Sequence, residues 1–186
     1  MITNRDLQVV DFLDKYRIAS TTTLEHFFFP SRRVAQRRLK VLSDMNYIRR
    51  SKENFYSDYY YYLKKPKQLR HSLLITNFYR EFSKYVEIQH FECQKKIDQI
   101  IPDGLIGYTK NHIKKIAILE VELSNNGFDY QKYRNFPHKK HFNMIPDIFV
   151  VTKHQIKNDS KINFIQIRDI EHDLDKFFEY RQKNVI

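Results

Sequence analysis

The chain has 186 residues, of which 41% are hydrophobic, and this length suits one large domain or two small ones. Its 33 lysines and arginines outnumber its 22 aspartates and glutamates, and the resulting net charge of +11 favours a polyanionic partner, with nucleic acid ahead of an anionic membrane. One cysteine and three glycines exclude an internal disulfide, a cysteine-based zinc site, a phosphate-binding P-loop and a dinucleotide-binding fingerprint.

Two helices are predicted at the start of the chain. Thr3 and Asp6 have the spacing of a capping box before a helix over residues 6–16, whose apolar positions share one face. The sequence Ile-Ala-Ser-Thr-Thr at 18–22 predicts a turn, and its hydroxyl groups are candidate N-caps. A short second helix should follow and end near residue 28.

A third helix and a hairpin should come next. Ser31 is the predicted N-cap of this helix, and Asn46 is expected to end it in the left-handed conformation that asparagine tolerates. Residues 47–50 and 55–63 are predicted strands around a turn at 51–54. The order of helix, helix, helix and hairpin is that of a winged helix-turn-helix, whose third helix enters the DNA major groove.

The third helix carries basic and polar residues opposite its apolar arc. Arg38 falls among the apolar positions and is predicted either to be structural or to reach the backbone from the helix edge. An ordinary solvated surface is the alternative explanation of a charged face. The net charge and the helix order favour DNA binding. Arg and Gln of the third helix can read base edges, whereas Lys40, Arg49, Arg50 and Lys52 are predicted to hold phosphates. The predicted DNA-binding residues are Arg32, Arg33, Gln36, Arg37, Lys40, Arg49, Arg50 and Lys52.

The chain is predicted to divide near Pro66 into an N-terminal domain over 1–65, a connecting helix over 66–86 and a second domain over 87–186. The connecting helix is apolar on more than one side, so we expect it to pack between the two halves. The second domain should be a mixed sheet flanked by helices, which makes the whole chain α+β. Its predicted strands are 88–95, 100–108, 113–123, 145–152 and 163–168, and its predicted helices are 129–142, interrupted by Pro137, and 170–182.

A Pro-Asp-Gly turn and an apolar strand of the second domain carry acidic residues. Strand alternation places Glu120 and Glu122 on one face, and Asp103 on the adjacent strand would add a third carboxylate. Three converging oxygen donors suit Mg²⁺ or Mn²⁺. Alternatively, the acids mark the exposed end of the strand and pair with lysine or arginine. We expect the pocket to bind a divalent ion, to hold a proton or to have a basic partner such as Lys132.

The order of these motifs resembles the replication-relaxation family of plasmids and mobile elements. The resemblance covers the chain from the winged helix to about Phe136. It rests on that domain, on His71 and Asn77 in a long helix, on Pro-Asp-Gly at 102–104 and on Leu-Glu-Val-Glu-x-Ser at 119–124. It implies that the second domain is similar to the PD-(D/E)xK nuclease fold.

Carried over residue by residue, the nuclease pattern implies that Asp103 and Glu120 are its acids. Glu122 stands where the pattern has lysine, and Lys132 on the following helix is the candidate replacement. Because hydrolysis needs a general base or charge stabiliser near the attacking water, the missing lysine favours a protein that does not cleave DNA.

We therefore predict a sequence-specific, double-stranded DNA-binding accessory protein of a plasmid or other mobile element. The resemblance implies a role in replication, relaxation or mobilisation beside a relaxase or replication initiator. The chain could form a homodimer. No cofactor is required unless the acids hold Mg²⁺ or Mn²⁺. One alternative is an active metal-dependent endonuclease that nicks DNA, and another is a simple winged-helix transcription repressor. Without a membrane-spanning run or a signal peptide, we expect a cytoplasmic protein.

Overall fold

The computed structural model describes residues 1–156 and 161–183, with side chains described as far as residue 179. The chain forms two compact units, Met1–Arg80 and Glu81–Ile186. Their boundary falls inside the segment predicted as a connecting helix. Helices and two sheets make the chain α+β, as the sequence predicts.

The first unit contains four helical segments and a small sheet. Its strands pair antiparallel in the order β1-β3-β2. The sequence predicts a turn where the short strand β1 lies, because two residues carry no detectable alternation. In chain order the elements are α1 (Asn4–Tyr16), β1 (Ala19–Ser20), α2 (Thr21–Phe28), α3 (Arg32–Asp44), β2 (Arg49–Ser51), β3 (Tyr60–Tyr62) and α4 (Leu69–Phe82), whose last two residues belong to the second unit.

The predicted helix caps are present. Thr3 and Asp6 form a complete capping box at the start of α1. Ser20 accepts a hydrogen bond from the backbone N–H of Thr23 and so caps α2. Ser31 is the N-cap of α3, although its side chain makes no capping hydrogen bond. Asn46 has a φ of 61°, which is the left-handed conformation expected after α3.

The hairpin differs from its prediction, because the strand expected over 55–63 forms only at Tyr60–Tyr62. The remainder belongs to a loop over residues 52–59, which we call the tip loop. The Asn54 side chain accepts hydrogen bonds from the backbone N–H groups of Tyr56 and Ser57, at 3.0 and 2.8 Å. These local bonds compete with strand pairing and explain why the ladder stops short.

An ion pair between the partly exposed Arg38 and a buried carboxylate fixes α3 against α1. Arg38 donates from Nε to Asp6 Oδ1 at 2.8 Å, from Nη2 to Asp6 Oδ2, and from Nη2 to the carbonyl oxygen of Met1 at 2.9 Å. The Asp6 side chain is 1% exposed, and Thr3 supplies two further donors to it. The predicted structural role of Arg38 is confirmed.

The second unit is built on a five-stranded sheet in the order β4-β5-β6-β7-β8. The first three strands are antiparallel neighbours, whereas β7 and β8 run parallel to β6. The predicted helix over 129–142 is two short helices that are separated near Pro137, where the sequence predicts an interruption. The elements are β4 (Glu87–Cys93), β5 (Gly104–Lys110), β6 (Ile113–Val121), α5 (Gln131–Arg134), α6 (His138–Phe142), β7 (Asp147–Val151), β8 (Phe164–Ile167) and α7 (Ile170–Lys183).

Both faces of this sheet carry a core, because β6 and β7 are buried on each side. On one face, Phe149 of β7 contacts the rings of Phe82 and Phe177. On the other face, Ile118 and Val150 belong to a cluster that also contains Tyr133 of α5 and Phe136. Glu120 follows Ile118 by two residues and therefore lies on this second face.

Gly104 fixes the start of β5 beside Asp103. A Cβ atom at this position would lie 2.8 Å from Cε2 of Phe91 and 3.2 Å from Cβ of Leu119. Phe91 is only 2% exposed, so its ring has little room to move. A glycine here lets β4, β5 and β6 approach closely, which sets the place of the preceding carboxylate.

Candidate nucleic-acid interface and acidic site

The exposed face of α3 presents four long polar side chains in a single stripe. Arg33, Gln36, Arg37 and Lys40 follow the spacing i, i+3, i+4 and i+7, which places them on one side of a helix. All four are exposed. Within the described residues, none of these side chains has a hydrogen-bonding or ion-pairing partner. Their donors are therefore available to an external ligand.

Arg32 differs from this stripe although it comes from the same basic run. Its guanidinium lies 2.8 Å from Asp58 Oδ1 and 3.5 Å from Glu25 Oε2. It also donates to Thr22 Oγ1 at 2.6 Å. These contacts tie α3 to α2 and to the end of the tip loop. Arg32 is thus engaged within the protein, with 40% of its side chain exposed.

Two cations of the hairpin, Arg50 and Lys52, lie on aromatic rings. The Arg50 guanidinium is 4.9 Å from the ring centroid of Tyr59, and Lys52 Nζ is 4.3 Å from the same centroid. Arg50 also lies 3.8 Å from Asp44, which is a long ion pair. Arg49 is exposed, and none of the described residues pairs with its side chain. The hairpin therefore adds a second group of positive charges to the same unit.

The tip loop also exposes Phe55 and Tyr56, which the sequence analysis had assigned to a strand. Alternating aromatic residues favour a strand, and this signal hid them. The signal that would have identified them is Asn54 directly before them, because asparagine promotes a local turn by bonding backbone groups two residues ahead. Two aromatic residues after such a turn have no strand neighbour to cover them.

Asp103 and Glu120 are brought together by strand register. Gly104 at the start of β5 pairs with Leu119 of β6, so Asp103, which directly precedes β5, lies across from Glu120 on β6. Asp103 Oδ2 accepts a hydrogen bond from the backbone N–H of Val121 at 2.8 Å. The proximity of Asp103 contributes to raising the pKa of Glu120, after the larger effect of burial. The predicted approach of these two carboxylates is confirmed.

Glu120 is a buried carboxylate with two side-chain donors. It is 7% exposed, receives a hydrogen bond from the Tyr133 hydroxyl, and lies 2.9 Å from Lys132 Nζ. Burial raises the pKa of Glu120, while Lys132 and Tyr133 act in the opposite direction. Burial and the nearby Glu120 charge also raise the pKa of Tyr133. The sequence identified Lys132 as a candidate partner but missed Tyr133.

Glu122 does not join this pair. β6 ends at Val121, and Glu122 accepts a hydrogen bond from the backbone N–H of Ser124 at 2.7 Å. Across residues 1–156 and 161–183, no group of three or more histidine, cysteine, aspartate or glutamate side chains is arranged to hold a metal ion. The three carboxylates therefore do not converge as predicted, because alternation of side chains holds only while the strand continues.

The residues present do not fit a Mg²⁺ or Mn²⁺ site. Both ions prefer several free oxygen ligands. Here Oε1 of Glu120 is engaged by both Lys132 and Tyr133, and Oδ2 of Asp103 accepts a hydrogen bond from a backbone N–H group. Chemically, this arrangement stabilises the buried Glu120 carboxylate with one cation, Lys132, and one hydroxyl, that of Tyr133.

No family model, curated protein or solved structure matches this chain. The similarity to the replication-relaxation family stays a prediction from motif order. Among the described residues, no helix combines the length and the apolar character that crossing a bilayer requires.

Proposed function

We propose that this chain is a sequence-specific, double-stranded DNA-binding protein whose first unit is a winged helix. The proposal is supported by the element order α1-β1-α2-α3-β2-β3 and by the sheet order β1-β3-β2. The observation that carries it is the stripe of Arg33, Gln36, Arg37 and Lys40, four exposed side chains without partners within the described residues. A stripe of this kind on the third helix suits the major groove.

The contacts of the individual side chains suggest which of them contact bases, which contact phosphates and which position α3. Arg33, Gln36 and Arg37 have free donors of the kind that pair with guanine or adenine edges. Lys40 and Arg49 are exposed point charges suited to phosphates. Arg32 and Arg38 are engaged by carboxylates within the unit, so their proposed part is to position α3.

The biological role that we propose is that of an accessory protein in the replication, relaxation or mobilisation of a plasmid or other mobile element. This step rests on the order of the motifs, which resembles the replication-relaxation family. A relaxase or a replication initiator is the proposed protein partner. A transcription repressor would use the same α3 surface, and identifying the DNA site would separate the two roles.

The double variant Arg33→Ala/Arg37→Ala tests the DNA-reading surface. Each arginine that contacts a base bidentately contributes about 1–3 kcal/mol of discrimination. The double variant should therefore lose most of its preference for a duplex that the wild-type chain selects from a random pool. Gel-shift titrations of the selected and scrambled duplexes at fixed salt measure this preference.

Arg168→Ala is the matched control, because it removes one exposed arginine from the second unit. It should bind the selected duplex as the wild type does. Lys40→Ala should weaken binding to both duplexes equally and reduce the slope of log affinity against log salt by about one. If the Arg33→Ala/Arg37→Ala variant discriminates between the two duplexes as well as the wild type, α3 is not the reading element.

We propose that the second unit does not cleave DNA. One observation favours the alternative of a nuclease: Asp103 lies across from Glu120, and Lys132 is close to Glu120. However, Lys132 and the Tyr133 hydroxyl both engage Oε1 of the buried Glu120 carboxylate. A lysine held in this way neutralises the acid and is not free to assist an attacking water.

Supercoiled plasmid DNA incubated with the full chain and either Mg²⁺ or Mn²⁺ should stay supercoiled on an agarose gel. A matched incubation with chelator sets the background of nicked circles. Metal-dependent nicking above that background, lost in both Asp103→Ala and Glu120→Ala, would replace this proposal with the endonuclease alternative. The DNA-binding experiment has its own readout and is unaffected by this result.

A further inference from the structure

The apex of the tip loop exposes two adjacent aromatic side chains to solvent. Phe55 is 84% exposed and Tyr56 is 95% exposed. Large apolar side chains that project together from a surface commonly mark a contact with a partner. Nothing in the packing of the first unit requires them, because its buried core is formed elsewhere. Their presence at the apex therefore needs an explanation outside the folded unit.

The loop that carries these rings is held by its own hydrogen bonds. Asn54 Oδ1 accepts from the backbone N–H groups of Tyr56 and Ser57, at 3.0 and 2.8 Å. Ser57 Oγ accepts from the backbone N–H groups of Glu53 and Asn54, at 3.2 and 3.1 Å. A loop closed in this way presents its side chains in one arrangement before binding, which lowers the entropic cost of binding.

Positive charge surrounds the base of the loop. Lys52 Nζ donates to the carbonyl oxygen of Phe55 at 3.2 Å and lies 5.9 Å from its ring centroid. Arg49 and Arg50 precede it on β2. Of the two acids in the loop, Asp58 is paired with Arg32, which leaves Glu53 as an exposed negative charge. The loop thus has apolar rings at its apex and mainly positive charge where it joins the hairpin. This arrangement complements a nucleic acid, in which negatively charged phosphates flank the apolar faces of the nucleobases.

We propose that Phe55 acts as a wedge that enters a base step of the bound duplex and bends the DNA. This inference rests on the proposed DNA-binding function and adds to it a deformation of the DNA. Proteins that kink DNA insert apolar side chains between base pairs and so obtain a larger contact surface. Phe55 has no polar atom to desolvate, and Lys52 beside it is placed to meet a phosphate.

Ring geometry separates the roles of the two aromatic residues. The ring planes of Phe55 and Tyr56 make an angle of 87°, and their centroids are 5.5 Å apart. When one ring lies parallel to the base pairs, the other stands perpendicular to them. Tyr56 then packs against the sugar-phosphate backbone, where its hydroxyl has acceptors within reach. Only Phe55 is therefore needed for the bend.

The test uses the full chain and the duplex that it selects from a random pool, labelled at its two ends with a donor and an acceptor dye. A second set of duplexes carries 2-aminopurine in place of single adenines. Wild-type protein at saturation should raise energy transfer between the ends and raise the fluorescence of 2-aminopurine at one step. Phe55→Ala should abolish both changes and weaken binding about tenfold or more.

Two further variants make the result specific. Tyr56→Ala should bind more weakly but retain the bend and the 2-aminopurine signal. Ile113→Ala, which truncates a side chain that is 59% exposed in the second unit, should behave as the wild type. Because Phe55 makes few packing contacts, Phe55→Ala should keep the melting temperature of the wild type.

The outcomes separate this inference from the proposed function. Suppose that Phe55→Ala bends the selected duplex as the wild type does, while Arg33→Ala/Arg37→Ala fails to bind it. The wedge role of Phe55 is then overturned, and the exposed aromatic residues would instead contact a protein partner. If the wild-type chain selects no duplex at all, the proposed function fails first and the wedge fails with it.

Discussion

The Arg38→Met substitution should lower the free energy of unfolding of the Met1–Arg80 unit by about 3–5 kcal/mol at pH 7, because it leaves a buried carboxylate without its cation. Arg38 makes two hydrogen bonds to Asp6, whose side chain is 1% exposed. Methionine keeps most of the length and apolar volume of the arginine stem, so the loss reports the charge and its hydrogen bonds. The remaining bonds from Thr3 cannot replace a cation.

The pH dependence of this effect has a definite sign. Hydrogen bonds from Arg38, aided by those from Thr3, hold the pKa of the Asp6 carboxyl well below its ordinary value of 3.8. Asp6 thus contributes stability that is fully present above that value and is lost as the pH falls towards the depressed pKa of the folded state. The difference between Arg38→Met and the wild type should be largest at neutral pH. It should shrink below about pH 4, where Asp6 in the variant becomes protonated.

Hydrogen-exchange protection of the α1 and α3 amides measures this difference within one unit of the full chain. Arg37→Met is the matched control, since it changes the next residue on α3, which is exposed and has no partner within the described residues. It should alter the protection by less than about 0.5 kcal/mol. Equal protection in Arg38→Met and Arg37→Met would show that the Asp6–Arg38 pair does not hold α3.

The features that follow from local chemistry could be predicted from the sequence. The capping box of Thr3 and Asp6 lies within one helical turn, and the left-handed Asn46 is a single-residue preference. Arg38 stood out because it breaks the apolar periodicity of its helix. The tip loop could not be predicted in the same way, because the strand preference of Phe55 and Tyr56 had to be weighed against the Asn54 turn.

Features that depend on distant parts of the chain were accessible only in part. Arg32 and Arg33 are adjacent and chemically identical, yet Glu25 and Asp58 engage only the first of them. Strand pairing predicted Asp103 beside Glu120, because neighbouring strands and alternation suffice for that step. Tyr133 was hidden, since an aromatic residue in a short helix gives no sign that its hydroxyl will meet a carboxylate.

Lys132→Met should lower the free energy of unfolding of the second unit by about 2–3 kcal/mol at pH 8. This loss is smaller than that expected from breaking a fully buried ion pair, because about a third of the Lys132 side chain is exposed. The substitution leaves Glu120 with only the Tyr133 hydroxyl. A buried carboxylate without a cation favours its protonated form, so the pKa of Glu120, already raised by burial, should rise further. Binding a proton then limits the energetic loss.

The sign of this pH dependence is opposite to that of Asp6. A carboxyl whose pKa in the folded state lies above its ordinary value of 4.5 contributes stability that is present at low pH and lost as the pH rises through the raised pKa. The deficit of Lys132→Met relative to the wild type should therefore be largest at pH 8 and shrink towards pH 5. Calorimetric melting of the full chain across this pH range measures it.

Two controls separate the charge from the packing of the lysine stem. Lys139→Met changes an exposed lysine on α6, which has no partner within the described residues, and should leave the melting temperature nearly unchanged at every pH. Adding Glu120→Gln to Lys132→Met removes the unpaired charge and should recover much of the stability at pH 8 while abolishing the pH dependence of the deficit. A deficit of equal size at pH 5 and pH 8 would mean that Lys132 contributes through its apolar stem. The ion pair would then no longer support the proposal that the second unit does not cleave DNA.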